Sequence, residues 1–295
     1  MTIRFRNYRD EEFGDDYKKV RTFLLKLNYP GFSFGRWDWM VTHSYLEKNS
    51  LGRIGLWEDD AEIIAAALFD TTLGGAFCYA FEEYAYLKKE LLEYAESNLG
   101  KNGQFKIMIN DTDTYFQEIA AQSGFIALSE KDSDGVYLID LAKIHYNLPE
   151  GFHITSLKDT FDLYQYGQVL WKGFNHEIDG EGAYTFSSEK EQVFFKEMIR
   201  PNVNLDLKIA VVAPNGDFVS YCGMWFDSDS DFALVEPVAT DPAYRKLGLG
   251  KAAVLEGIRR CGALGAKRAF VGSSQQFYYS IGFRPYATSS WWMRK

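Results

Sequence analysis

The stretch ATDPAYRKLGLGKAAVLEGIRRCGALG, residues 239–265, holds residue types suited to anion chemistry. Gly248 and Gly250 stand two apart behind Arg245 and Lys246, and Lys251 follows. The first N–H groups of a helix have no intrahelical partner, and glycine lets a phosphate approach them without a Cβ in the way. The context fits such a turn. DFALVEPVA before it reads as a strand, with Phe232, Leu234 and Val238 on one face and Ala233, Val235 and Ala239 on the other. Asp241-Pro242 makes a turn. Beyond the glycines, Val254, Leu255, Ile258 and Cys261 recur at helical spacing, Glu256, Arg259 and Arg260 take the opposite face, and Gly265 is placed to cap the carboxy end.

The elements that must position this turn occur twice. IGLWEDDAEIIAAALFD (54–70) and IAVVAPNGDFVSYCGMWFD (209–227) both read as two strands around an acidic turn and both end in Phe-Asp. The interval from Phe69 to the Gly124 of SGF matches that from Phe226 to the Gly282 of IGF to within one residue. Two copies of one fold are therefore expected, one over 1–146 and one over 151–295, joined near NLPEG. Each reads as α/β, a mixed sheet flanked by helices. The copies differ at the turn: Leu91 and Glu93 fall opposite Gly248 and Gly250, no glycine occurs between Gly75 and Gly100, and Glu90 and Glu93 would repel an anion.

With 295 residues and 46% hydrophobic composition the chain can bury two cores. The amino-terminal MTIRFRNYRDEEFGDD is too charged for a signal peptide and no apolar run is long enough to span a bilayer, so a cytoplasmic protein without a membrane partner is expected. Cys78, Cys222 and Cys261 are read as buried thiols, and His43, His145, His153 and His176 show no ligand spacing, so no metal is expected. A net charge of −9 argues against nucleic acid as partner. From Gly257 to Lys295 there is no carboxylate, yet Arg259, Arg260, Lys267, Arg268, Arg284, Arg294 and Lys295 lie there, a concentration suggesting a local anionic ligand. Aromatic residues make up 17% of the chain; Trp37, Trp39, Trp291 and Trp292 are read as core ahead of a substrate pocket.

Three glycine turns compete for the motif. A Walker A loop fails, because Arg245 stands where its first glycine belongs and Ala252 where Ser or Thr should follow. The dinucleotide pattern is met by Gly248, Gly250 and Ala253, but no carboxylate follows Glu256 to hold a ribose. The third, Arg245-x-x-Gly248-x-Gly250 between strand and helix, resembles motif A of the GNAT superfamily of N-acetyltransferases, and QQFYYSIGF resembles that family's aromatic-Tyr-x-x-x-Gly-Phe helix end. The resemblance runs along the whole carboxy-terminal copy, and the amino-terminal copy resembles the fold without the motif. It implies two tandem GNAT-like domains with mostly antiparallel sheets, the first degenerate.

The resemblance further implies acetyl-CoA as co-substrate. The turn of Arg245, Lys246, Leu247, Gly248, Leu249, Gly250 and Lys251 would wrap its pyrophosphate, the backbone of Val238, Ala239 and Thr240 would pair with the pantetheine arm, and Phe277 would lie against the cofactor. Pro237 cannot donate a ladder hydrogen bond, which suits a strand that splays from its neighbour or one at a sheet edge. Tyr278, four residues before Gly282, takes the family's general-acid position, with Tyr279 as the neighbour that packs; Ala120 is the counterpart in the first copy. The family's Asn before this helix is replaced by GSSQQ. Glu236 alternates with Leu234 and Val238, which would hold a carboxylate on a half-buried face as a candidate base. The acidic segment 176–191 favours a cationic acceptor. The expected activity is direct acetyl transfer to a primary amine of a small molecule or peptide, the alternative being a non-catalytic acyl-CoA binding or sensing protein. No oligomeric interface is read from the sequence.

Overall fold

A computed structural model describes residues 2–9 and 12–295; Met1, Asp10 and Glu11, part of the charged amino-terminal stretch, lie outside the described residues. The first ten elements are β1 (Arg4–Asn7), α1 (Asp15–Leu27), α2 (Phe34–Thr42), β2 (Gly55–Asp59), β3 (Glu62–Asp70), β4 (Thr72–Ala80), α3 (Lys88–Asn98), β5 (Lys106–Asn110), α4 (Thr114–Gln122) and β6 (Phe125–Leu138). The next ten repeat that order: β7 (His153–Ser156), α5 (Leu163–Gly173), α6 (Ser188–Met198), β8 (Lys208–Val212), β9 (Phe218–Phe226), β10 (Phe232–Thr240), α7 (Leu249–Ala263), β11 (Arg268–Val271), α8 (Gln276–Ser280) and β12 (Arg284–Arg294). The duplication read from the two Phe-Asp segments is thus present element by element.

Two compact units form. One comprises the chain up to Gly135 with Gly272–Ser274 and Pro285–Lys295, the other Val136–Val271 with Gln275–Arg284. In the first unit the strand order is β1-β2-β3-β4-β5-β12-β6, and β12 pairs antiparallel with β5 from Ser289↔Asn110 to Met293↔Lys106. β4 and β5 are parallel and every other pair from β1 to β4 is antiparallel. Trp37 and Trp291 are buried here, as core residues should be.

In the second unit the order runs from the last residues of β6 through β11, β10, β9 and β8 to β7; β10 and β11 are parallel, and the pairs β9–β10, β8–β9 and β7–β8 are antiparallel. Alternation along β8 and β9 feeds two cores. Ile209, Val211, Cys222 and Met224 pack with Ala253, Val254, Ile258 and Cys261 of α7, whereas Ala210, Val212 and Tyr221 pack with Tyr166 and Val169 of α5 and Met198 of α6. Gly257 allows the close approach of α7 to β9, since a Cβ there would sit 2.7 Å from Met224 Cγ.

One expectation about α7 is corrected. Glu256 does not face solvent but is 4% exposed, because Arg259 and Arg260 clasp it at 2.7–2.8 Å and Tyr146 donates to it at 2.8 Å. Burial alone would raise its pKa, but these hydrogen bonds outweigh burial and bring it down to about 2. All three cysteines are buried and free. Among the described residues no helix is long and apolar enough to cross a membrane, and no group of three or more His, Cys, Asp or Glu is placed to hold a metal ion.

Candidate active site

The site starts from a bulge in β10. Its parallel register with β11 runs only from Phe232↔Arg268 to Leu234↔Phe270. On its other edge the ladder with β9 passes from Val235↔Met224 directly to Val238↔Cys222, so Glu236 and Pro237 together oppose the single residue Gly223. Gly223 is required there: a Cβ would lie 2.5 Å from the Glu236 carbonyl oxygen and 3.0 Å from Pro237 Cδ. Pro237 thus marks the place where β10 parts from β11, and the backbone from Val235 to Thr240 keeps its β11-side edge outside that register.

The turn after β10 is built from left-handed residues. Asp241 accepts a hydrogen bond from the Ala243 amide at 2.9 Å, Lys246 has φ 66° and Gly248 has φ 82°, and α7 begins at Leu249 with no side chain capping it. Left-handed residues thus stand on either side of Leu247, and the first N–H groups of α7 have no side-chain cap and no intrahelical partner. Leu249 anchors the helix start in the core at 1% exposure. Nothing lies within 4 Å of where a Gly248 Cβ would sit, whereas a Gly250 Cβ would meet Thr240 Oγ1 at 3.0 Å and the Phe277 ring at 3.4 Å. Gly250, Thr240 and Phe277 therefore converge, and Thr240 is fixed by Ser220 at 2.9 Å. Lys246 and Lys251 are exposed and take part in no ion pair among the described residues.

Arg245 has a different employment from the one its motif suggests. Its Nε donates to the Thr240 carbonyl at 3.2 Å, and its Nη2 donates to the Gly173 carbonyl at 2.9 Å and to Asn175 Oδ1 at 2.7 Å. It ties the end of α5 to the end of β10. Gly173 makes that junction possible, because a Cβ would sit 2.6 Å from the Ala239 Cβ.

Tyr278 lies on the five-residue α8, 8% exposed, edge-on to Phe277 and Phe283. Burial pushes its phenol pKa well up, with further upward contributions from Cys222 and from the Glu236 carboxylate. Tyr278 and Cys222 belong to one core cluster, and the Glu236 carboxylate is near enough to add to the upward shift of the Tyr278 phenol. Tyr279, next in sequence, is only half-buried, and so is Glu236. Cys222 is fully buried, and burial raises its thiol pKa well above the usual range. Reading the sequence missed Gly223 and Trp225 as parts of the site; the one available signal was a glycine inside an otherwise apolar strand.

The first unit lacks this geometry. A 3-10 turn, Glu82–Leu87, runs straight into α3, and Leu87 has φ −74° and ψ −9°. Leu91 is a core residue at 0% exposure, Glu90 accepts the Trp57 indole N–H at 2.7 Å, and Ala120 is buried.

The basic carboxy-terminal stretch also needs correction. Arg259 and Arg260 serve Glu256, Arg260 also reaches Asp206 at 2.7 Å, Arg268 pairs with Asp231 at 2.7 Å, and Arg294 pairs with Glu96 at 2.5 Å. These cations are partners of carboxylates earlier in the chain and not a surface awaiting an anion. Part of the acidic 176–191 segment is likewise engaged internally: Glu181 meets His176 at 2.7 Å, and Glu177 accepts the Tyr184 amide at 3.2 Å.

The fold is shared with known proteins. Residues 171–283 match the model of the Acetyltransferase (GNAT) family. A GCN5-related N-acetyltransferase from Sphaerobacter thermophilus aligns with a TM-score of 0.56 at 14% identity, covering 99% of this chain and 95% of that one. A tandem GNAT protein from the clavulanic acid biosynthesis pathway gives 0.62 at 11%, covering 99% and 98%. N-myristoyltransferase of Saccharomyces cerevisiae gives 0.54 at 11%, covering 99% and 78%. No curated protein sequence matches the chain. The match to the GNAT family thus lies within the carboxy-terminal unit, and the chain as a whole shares the fold of a tandem GNAT protein.

Proposed function

We propose that the chain is an acetyl-CoA-dependent N-acetyltransferase acting on a primary amine of a small molecule or peptide, with catalysis in the second unit. The observation that carries this reading is the occurrence, within one unit, of an uncapped left-handed turn, a strand edge freed by a bulge, and a buried phenol in the core against which that strand packs. The amides from Leu247 to Lys251 suit a pyrophosphate, with Lys246 and Lys251 as exposed cations nearby. The edge from Val238 to Thr240 offers extended backbone to the amide groups of a pantetheine arm. Arg245 contributes by holding this edge against α5.

Bound acyl-CoA would supply a thioester whose acyl group passes to an amine as the C–S bond breaks and the thiolate leaves, which requires proton movements at nitrogen and at sulfur. Tyr278 keeps its proton throughout the neutral range because its pKa is raised, so its Oη is a standing donor. Glu236, half-buried on the same edge, is the carboxylate assigned to take a proton from an incoming ammonium group. The test is free-thiol release from acetyl-CoA across a panel of amines. Thiol release that depends on an amine and yields the N-acetylated product supports the reading. Tight coenzyme A binding with no amine-dependent release would favour a binding or sensing protein instead.

A further inference from the structure

β8 carries a lysine into the interior of the second unit. Lys208 is 2% exposed and stands in register with Gly223, the residue that opposes the Glu236–Pro237 bulge across β9. Lys208, Gly223 and the bulge thus form one row across three strands. The lysine reaches β9: its Nζ donates to the Met224 carbonyl at 3.2 Å and sits 3.4 Å from the centre of the Trp225 ring. Trp225, 5% exposed, in turn donates its indole N–H to the Glu236 carbonyl at 3.0 Å. A buried ammonium is costly unless something compensates it. A carbonyl and an aromatic face are among its partners, and a cation over an indole strengthens that indole as a hydrogen-bond donor.

We propose that Trp225 and Lys208 are positioning residues for the acyl-transfer site: Trp225 pins the Glu236 carbonyl toward β9, and the Lys208 ammonium holds and polarises the indole that does the pinning. The pinned carbonyl fixes the bulge, and with it the direction of the Glu236 side chain and of the strand edge beside Tyr278. Neither residue touches substrate. Their effect falls on the acyl end of the site and leaves the phosphate-binding turn alone, since that turn is held by Arg245, Asp241 and Leu249. The inference rests on the acyltransferase reading.

Trp225→Phe keeps a ring beneath Lys208 and removes only the N–H, while Lys208→Met keeps the stem and removes the charge. Each is assayed for coenzyme A and acetyl-CoA affinity by calorimetry and for thiol release with the best amine of the panel. The expected result is a coenzyme A affinity within about twofold of the parent and a kcat about 10- to 100-fold lower for Trp225→Phe, the scale set by small misplacements of reacting groups. Lys208→Met should change in the same direction by less. A Trp225→Phe protein with the parental kcat overturns the proposal. So does a loss of coenzyme A affinity and melting temperature in both variants that accounts for the loss of turnover, because that is plain destabilisation. If the parent binds coenzyme A but releases no thiol with any amine, the acyltransferase reading falls, and the positioning claim is still decided by binding. The ratio of acetyl-CoA to coenzyme A affinity must then shift by about threefold or more in Trp225→Phe, the worth of one hydrogen bond; an unchanged ratio overturns it.

Discussion

Gly248 allows the backbone of the turn to be tested apart from side-chain bulk. It holds φ 82°, and nothing lies within 4 Å of where its Cβ would be, so a small side chain meets no steric obstacle. Any effect of Gly248→Ala must come from conformation. An L-residue other than glycine pays about 1–2 kcal/mol to hold the left-handed region. The helix that follows cannot yield, since Leu249 and Ala252 to Ile258 are buried, so the turn relaxes and its N–H groups cease to converge. Restoring the cradle on binding then costs those 1–2 kcal/mol, which is a roughly 5- to 30-fold weaker coenzyme A affinity. Asparagine tolerates the left-handed region better than alanine although it is larger. Calorimetric titration of coenzyme A should therefore rank the proteins Gly248, Gly248→Asn, Gly248→Ala in falling affinity. A reversed order of the two variants would mean that bulk matters and backbone conformation does not, and parental affinity in Gly248→Ala would remove the turn from the binding site.

Replacing Tyr278 with Phe should lower kcat by roughly the 10²–10⁴-fold typical of a lost general acid while coenzyme A affinity holds, because the ring packs among Phe277 and Phe283 either way; Tyr279→Phe should do far less, and equal losses would contradict the assignment. Since the Tyr278 pKa is raised, activity should show no fall attributable to ionisation of this phenol below about pH 10, which a pH–rate profile of parent against Tyr278→Phe would check. Glu256 has a folded pKa lowered from 4.5 to about 2, so its contribution to stability is complete above about pH 4.5 and is lost as the pH falls toward 2. Glu256→Gln should accordingly flatten the acid limb of the unfolding profile, and a parent-like limb would refute the role given to its arginine clasp.

What the sequence made legible was local. The spacing of Gly248 and Gly250 between a strand and a helix identifies the turn because a left-handed residue and a close approach both demand glycine, and both demands are met within a few residues. Pro237 signals a break in the strand ladder because it has no N–H to donate. The duplication is readable because equal intervals between Phe-Asp and Gly-Phe mark equal sets of elements. What stayed hidden depends on contacts between distant segments. The basic stretch looked unpartnered because Asp231, Asp206 and Glu96 lie far upstream of the arginines they meet. Glu256 looked exposed because helical periodicity ranks any carboxylate as polar, whatever clasps it. Arg245 fits an anion motif, yet only the folded chain shows its guanidinium on Gly173 and Asn175. Lys208 reads as the charged start of an apolar strand, and its place opposite Gly223 follows from strand register alone. The pairing of β12 with β5 in the first unit has no counterpart in the pattern YATSSWWMR, which reads the same whichever sheet it joins.

The central claim is that one acyl-CoA site exists in this chain and that the Lys246–Lys251 turn forms it. Calorimetric titration of the parent protein with coenzyme A, repeated with Gly250→Leu, tests it most directly. A Cβ at Gly250 already approaches Thr240 Oγ1 to 3.0 Å and the Phe277 ring to 3.4 Å, so a leucine must displace the groups that frame the turn. One molecule bound per chain, with binding lost in Gly250→Leu and kept in Glu93→Gln on the exposed face of α3, is the result predicted; two equivalent molecules per chain, or parental affinity in Gly250→Leu, would contradict it.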